Sequence, residues 1–262
     1  MKKMPSIFFG HGSPMIALEK NSNTKSFKKL GELIIEHFGK PKAILSMSAH
    51  WFTKGFYVQD QEKPEQIYDM YGFPDELYAL SYPASGDKKL AHKVLDLNFK
   101  VVINYEWGID HGIWTVLCHV FPEADIPVVQ ISTNGLASPQ EIYDLGASLS
   151  FLRDEGYLVM GSGNLVHNLS EVEWGHKGGS KLTKSFDSYI VDGIEARRYQ
   201  IPVEYKEHPV ALYAAPYPDH YYPLLFALGA SEGNKAQTFN RNYDLGSISM
   251  SSFILSDEKL PI

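Results

Sequence analysis

Ten histidines punctuate the 262-residue chain, and four of them follow short apolar runs at close range. His11 comes after Ser6 to Phe9, His50 after Ala43 to Met47, His111 after Val101 to Ile103, and His167 after Tyr157 to Met160. Runs of this length, rich in Ile, Val and Phe and without period-two alternation, predict strands buried on both faces. Parallel strands present their carboxyl ends on one edge of a sheet, where ligands bind in open α/β folds, so side chains distant in sequence can converge there. A fifth histidine, His220, lies in APYPDHYYP, a proline- and tyrosine-rich stretch leading into another helix. Neutral imidazole is the commonest protein metal ligand, and several together suit zinc or ferrous iron without any thiolate. The expected chemistry is that of a nitrogen-rich metal site.

The other five histidines read differently. His37 sits on a helix ending at Gly39 and His119 in the apolar segment from Ile113 to Phe121, so ordinary helix or core roles are expected. His92, His176 and His208 lie in polar surroundings that predict solvated or loop positions. Cys118, the lone cysteine, cannot form a disulfide within the chain, and its apolar flanks predict a buried, inert thiol. Ser13 lacks the flanking glycines of a nucleophile elbow. Gly161-Ser162-Gly163 is followed by Val166 where the dinucleotide fingerprint needs glycine, so a nucleotide cofactor is not expected.

The elements that must carry these residues alternate. Phe27, Leu30, Ile34 and Phe38 recur at helical spacing up to Gly39, with Pro41 beyond. Ser138, Pro139 and Glu141 form a capping box that opens a helix whose Ile142, Leu145, Leu149 and Leu152 share a face, with Gly156 as its end. The pattern predicts an α/β fold, a single domain over residues 1–262 with a central mostly parallel sheet flanked by helices. Residues 175–180 form a glycine-rich stretch expected to be mobile, and residues 60–86 are long, tyrosine-rich and without clear periodicity. A net charge of -7 supplies no basic field for nucleic acid. No apolar run reaches 18 residues, so no membrane span is expected, and single-cysteine usage suggests a cytoplasmic address.

The motifs GHGSP (Gly10 to Pro14), SAHW (Ser48 to Trp51), DHGIW (Asp110 to Trp114), GSGNLVHN (Gly161 to Asn168) and PDHYYPL (Pro218 to Leu224) together resemble those of DODA-type extradiol ring-opening dioxygenases. The likeness follows the family's order over nearly the whole chain and includes IYDMYGFPDELY (Ile67 to Tyr78) and NRNYDLGSISMSSF (Asn240 to Phe253). It implies a class III extradiol dioxygenase with one mononuclear divalent metal, Fe(II) for turnover or Zn(II) as bound, acting on a small aromatic diol and O2 to give a ring-opened semialdehyde.

Carried over by motif, the resemblance implies His11, His50 and His220 as metal ligands. It gives His167 two provisional roles, acid/base and ligand when zinc is bound, and makes His111 a contact for dioxygen or a substrate hydroxyl with Asp110 as its orienting partner. The broader superclass uses two histidines and a carboxylate, whereas this chain has His220 at the third position, beside Asp219. Imidazoles alone would leave the ion's charge uncompensated and favour an anionic substrate. Tyr68, Tyr71, Phe73, Tyr78 and Tyr82, together with Trp51, are candidate walls for a catechol ring, with core packing as their other reading. A His-rich zinc centre also suits a hydrolase, and a pocket that has lost its chemistry would suit a non-enzymatic metal or ligand binder.

Overall fold

The computed structural model describes residues 2–97 and 99–262. In chain order the strands are β1 (Ser6–Gly10), β2 (Ile44–Thr53), β3 (Phe56–Gln59), β4 (Val101–Asn104), β5 (Val128–Asn134), β6 (Leu158–Gly163), β7 (Lys235–Phe239), β8 (Tyr243–Asp244), β9 (Ile248–Ser249) and β10 (Ser252–Ser256). Eight of them form one sheet in the order β4-β3-β5-β2-β6-β1-β10-β7, and β8 pairs with β9 in a small hairpin. The centre, β5-β2-β6-β1, is parallel throughout. At one edge β3 meets β5 antiparallel and carries β4 in parallel; at the other β10 and β7 are antiparallel additions. The fold is α/β with a mostly parallel sheet, as the apolar runs predict.

Both faces of this sheet are covered, which is why the central strands do not alternate. Phe8, Leu45, Met47, Val129, Ile131 and Phe253 point into one core, beneath the helices Pro139–Ser148, Lys181–Glu195 and Tyr222–Ala230. Their neighbours Ile7, Phe9, Ile44, Val128, Met160 and Ile254 point into the other, beneath Ser22–Phe38 and His111–Val120. Each such residue, removed from water, contributes about 1.5–3 kcal/mol toward offsetting chain entropy. Tyr222–Ala230 is buried all round, and Gly229 and Gly146 let it close on Pro139–Ser148. A Cβ on Gly229 would stand 1.9 Å from the Tyr143 carbonyl oxygen, and one on Gly146 2.1 Å from that of Phe226.

Several local expectations change. The helix opening at Ser138 is two pieces, Pro139–Ser148 and Phe151–Asp154, because Leu149 and Ser150 donate to carbonyls three residues back and the Ser148 hydroxyl takes the Leu145 carbonyl. β4 is an edge strand with Val102 exposed, not a strand buried on both faces. The glycine-rich stretch 175–180 is pinned, not free. Leu245 donates to the His176 carbonyl, Gly246 to that of Gly178, and Ser180 to that of Gly246 at 2.7 Å.

Candidate active site

Three of the five histidines meet at the carboxyl edge of the parallel strands, each brought there by a different local device. β1 ends at Gly10, whose missing side chain admits the Met250 backbone; a Cβ there would lie 2.6 Å from the Met250 carbonyl carbon. His11 follows, buried, with its backbone N–H donating to the Gly163 carbonyl. His50 lies within β2, where Met47 pairs with Ile131 and Phe52 with Thr133, so five steps on β2 span two on β5. The extra residues leave the ladder and turn His50 inward, and Thr133 secures the bulge by donating to the Ser48 carbonyl at 2.8 Å. His220 sits on the loop before Tyr222–Ala230, held by the buried hydroxyls of Tyr221 on the Pro202 carbonyl and Tyr222 on that of Ala137. That loop lies directly on the end of β6.

His11, His50 and His220 come together, with one ligand atom of each within 4.8 Å of the others. The His11 and His50 Nε2 atoms are 3.2 Å apart. Ligand nitrogens about 2.0–2.1 Å from a tetrahedral ion would be separated by roughly 3.3–3.4 Å, so this pair suits a common cation. Their tautomers suit it too. The Ser162 hydroxyl donates to the Gly112 carbonyl, so its oxygen is left to accept from His11 Nδ1 at 2.9 Å, leaving Nε2 free. His220 Nδ1 stands 3.1 Å from Asp219 Oδ2, outside hydrogen-bond alignment.

His167 lies outside this ligand group. Its ring stacks on His220, with centroids 3.5 Å apart and planes 5° from parallel. The GSGNLVHN segment that carries it is fixed on both sides: Asn164 donates its backbone N–H to His220 and its side-chain amide to Ser249, while Asn168 reaches the Tyr213 carbonyl. His111 opens the helix His111–Val120, with its ring 3.8 Å from that of His50. Its route differs from the expected one. β4 runs against β5, so its carboxyl end lies on the far edge, and residues 105–110 return the chain before His111 is reached.

Asp110 is not the hydrogen-bonding partner of the His111 ring. Its oxygens accept from Ser48 at 2.7 Å, from Gln130, and from Trp107 Nε1 at 3.3 Å. Asp69, unflagged by the sequence, is the carboxylate that faces that ring: Oδ1 lies 3.0 Å from His111 Nδ1 and Oδ2 3.3 Å from His50 Nδ1, both out of line for a directed hydrogen bond. Asp69 and Asp219 therefore place carboxylates behind two of the three clustered histidines, and the argument for an anionic substrate from uncompensated charge loses its premise.

The remaining histidines stay away from the cluster. His119 Nε2 meets the Ile16 carbonyl, His37 approaches Glu258, His92 meets Asp60, His176 meets Glu173, and His208 lies against Tyr189. Burial pushes the Cys118 thiol up to about 12. Of the aromatic candidates, Tyr82 is core, with its hydroxyl on the Phe121 carbonyl, and Tyr71 is 93% exposed. Tyr68 rests against Trp114, and Trp51 stacks on Trp107.

Burial, followed by the neighbouring imidazoles, holds His11, His50 and His167 below their ordinary value, so all three are neutral at pH 7. Unfolded, each returns to about 6.5 and binds a proton that the folded chain refuses. Their contribution to stability is complete above about pH 6.5 and is lost on acidification. Asp110 opposes them. Burial, then the Asp69 charge, pushes its carboxyl up to about 6, so acid favours the fold through this one group. Three against one sets the net direction. The urea midpoint of metal-free protein is expected to fall between pH 7 and pH 5, at about 1.4 kcal/mol per pH unit for each net proton. A flat or rising midpoint would mean that the folded imidazoles accept protons freely.

Gly163 carries a second expectation. A Cβ there would lie 2.0 Å from the His220 carbonyl oxygen, a backbone atom with no rotamer to escape through. Gly163→Ala is expected to lower stability by about 1–3 kcal/mol and to displace His220, weakening cation binding in the same preparation. Urea melts and a cobalt titration check both; an unchanged titration would separate His220 from the site.

With this geometry in place, the class follows from comparison. Residues 5–253 match the family described as the catalytic LigB subunit of aromatic ring-opening dioxygenase, and the chain belongs to that family as an extradiol dioxygenase. A 4,5-DOPA dioxygenase extradiol of Escherichia coli (strain K12) is 40% identical over 261 residues, covering 95% of this chain and 94% of that protein. The Beta vulgaris protein of the same name is 36% identical and covers 95% of each. A crystal structure of an uncharacterized Escherichia coli K12 protein superposes with a TM-score of 0.84 at 36% identity, over 97% of this chain and all of that one.

Proposed function

We propose that the chain opens the ring of a catechol of the 4,5-DOPA type, consuming O2 and giving a semialdehyde, with His11, His50 and His220 holding one divalent ion. The observation that carries this reading is the meeting of those three imidazoles beside His167 and His111. Iron(II) is the ion proposed for turnover and zinc the one retained on isolation. The bound ion would lower the catechol's proton affinity and, as iron, would relay electrons from the singlet ring to triplet O2 with no net change in its own oxidation state. His167 is neutral at pH 7 and partly exposed, so it can take a proton from a substrate hydroxyl and return it as the ring opens. His111 contacts a substrate hydroxyl or dioxygen. Tyr68, backed by Trp114, offers an aromatic face worth about 0.5–1.5 kcal/mol to a bound ring.

The unit proposed to act is the single domain 1–262, in the cytoplasm, without nucleic acid or membrane. Among the described residues no helix is long and apolar enough to cross a membrane. The test is anaerobic reconstitution with Fe(II), followed by DOPA or protocatechuate and then oxygen. A yellow product with one O2 consumed per ring is expected. Hydrolytic turnover with zinc alone would favour a hydrolase, and retained metal without turnover would favour a binding protein.

A further inference from the structure

The carboxylate of Asp69 stands between two imidazoles with different tasks, at 3.3 Å from His50 Nδ1 and 3.0 Å from His111 Nδ1. Its Oδ1 also accepts the His111 backbone N–H at 3.1 Å. The loop around it is fixed before any ligand arrives. Ile67 donates to the Ile109 carbonyl and Ile109 to that of Glu65, both at 2.8 Å, while Trp114 Nε1 holds the Ile67 carbonyl. A carboxylate only accepts hydrogen bonds, so an imidazole nitrogen facing it is the one that carries the ring's hydrogen.

We propose that Asp69 is a positioning residue that fixes the tautomers of His50 and His111 together, directing the bare Nε2 of His50 to the cation and that of His111 to a substrate hydroxyl. This inference rests on the ligand assignment above. It also narrows a role left open by the family resemblance. Dioxygen offers no hydrogen, so a bare Nε2 on His111 suits an O–H donor and leaves O2 to other contacts. His50 Nδ1 and His111 Nδ1 both lie near Asp69 but out of line for a directed hydrogen bond, and small ring rotations on cation and substrate binding would align them.

Asp69→Asn separates positioning from bulk. The amide keeps the size of the carboxylate but has one accepting oxygen, which the His111 backbone N–H retains. Its NH2 then faces His50 Nδ1 and forces the hydrogen onto Nε2, where the cation should bind. The variant is expected to bind cobalt(II), followed by its visible absorption, about 10–100-fold more weakly than wild type, the usual cost of losing the partner behind a metal-bound histidine. Nitrogen-15 NMR of the metal-free proteins should show the His50 hydrogen on Nδ1 in wild type and on Nε2 in the variant. Equal cobalt affinities, an unprotonated His50 Nδ1 in wild type, or two ions bound per chain would overturn the inference while leaving the ligand assignment standing. A wild-type chain that binds no cobalt would remove both.

Discussion

His50→Ala is expected to strip the protein of its tightly held divalent ion and, with it, of ring-opening activity. His50 reaches the site only because β2 leaves its ladder after Met47, and its Nε2 lies 3.2 Å from that of His11, while the His111 backbone is tied to Asp69 by its N–H and does not follow β2 into the gap. Two imidazoles would remain, too few to hold a cation against water. The loss of affinity should exceed the about 10–100-fold typical of removing a partner behind a ligand. Ser48, Asp110 and Gln130 are bonded to one another independently of the His50 ring, so the fold should persist. Elemental analysis and cobalt titration on the purified variant give the answer. Wild-type affinity would move the metal centre elsewhere.

His167→Ala should behave in the opposite way, losing turnover while keeping the ion. The ring lies against the face of His220 and outside the group of ligand atoms, a placement suited to exchanging protons with a bound substrate. Removing a positioned acid/base group typically costs about 10²–10⁴-fold, and kcat is expected to fall within that range. Cobalt affinity should change less than tenfold. Equal losses of metal and turnover would instead make His167 a ligand, the other role that its motif allows.

Much of this arrangement was legible because burial on both faces leaves an uninterrupted apolar signature. The runs at β1, β2, β5 and β6 are visible for that reason, and the histidines following β1 and β6 could be placed on one edge. Strand direction has no such signature. Val101 to Ile103 reads as apolar whichever way the strand runs, so the sequence alone puts His111 at the end of a parallel strand, whereas the strand is reversed. β7, with the sequence KAQTF, carries no such signature because an edge strand needs little apolar content.

The supporting residues were harder to read than the ligands. Asp110 invited assignment to His111 by adjacency, yet it occupies the turn before the helix, where Ser48, Gln130 and Trp107 claim its oxygens. Asp69 lies 42 residues from His111 in a stretch without periodicity, and only the fold shows that they meet. The available signal is Asp69 in IYDMYGFPDELY, the one carboxylate of that segment set directly between aromatic and apolar neighbours, since such a group needs a partner when buried.

The most direct test of the whole account is the fate of isotopically heavy O2 in a single turnover. Fe(II)-loaded protein given a catechol under labelled dioxygen should yield a ring-opened product containing both heavy atoms, apart from aldehyde oxygen exchanged with water, and His50→Ala should yield none. Product without any label, or ring opening that proceeds equally well in the His50 variant, would contradict a dioxygenase centred on these histidines.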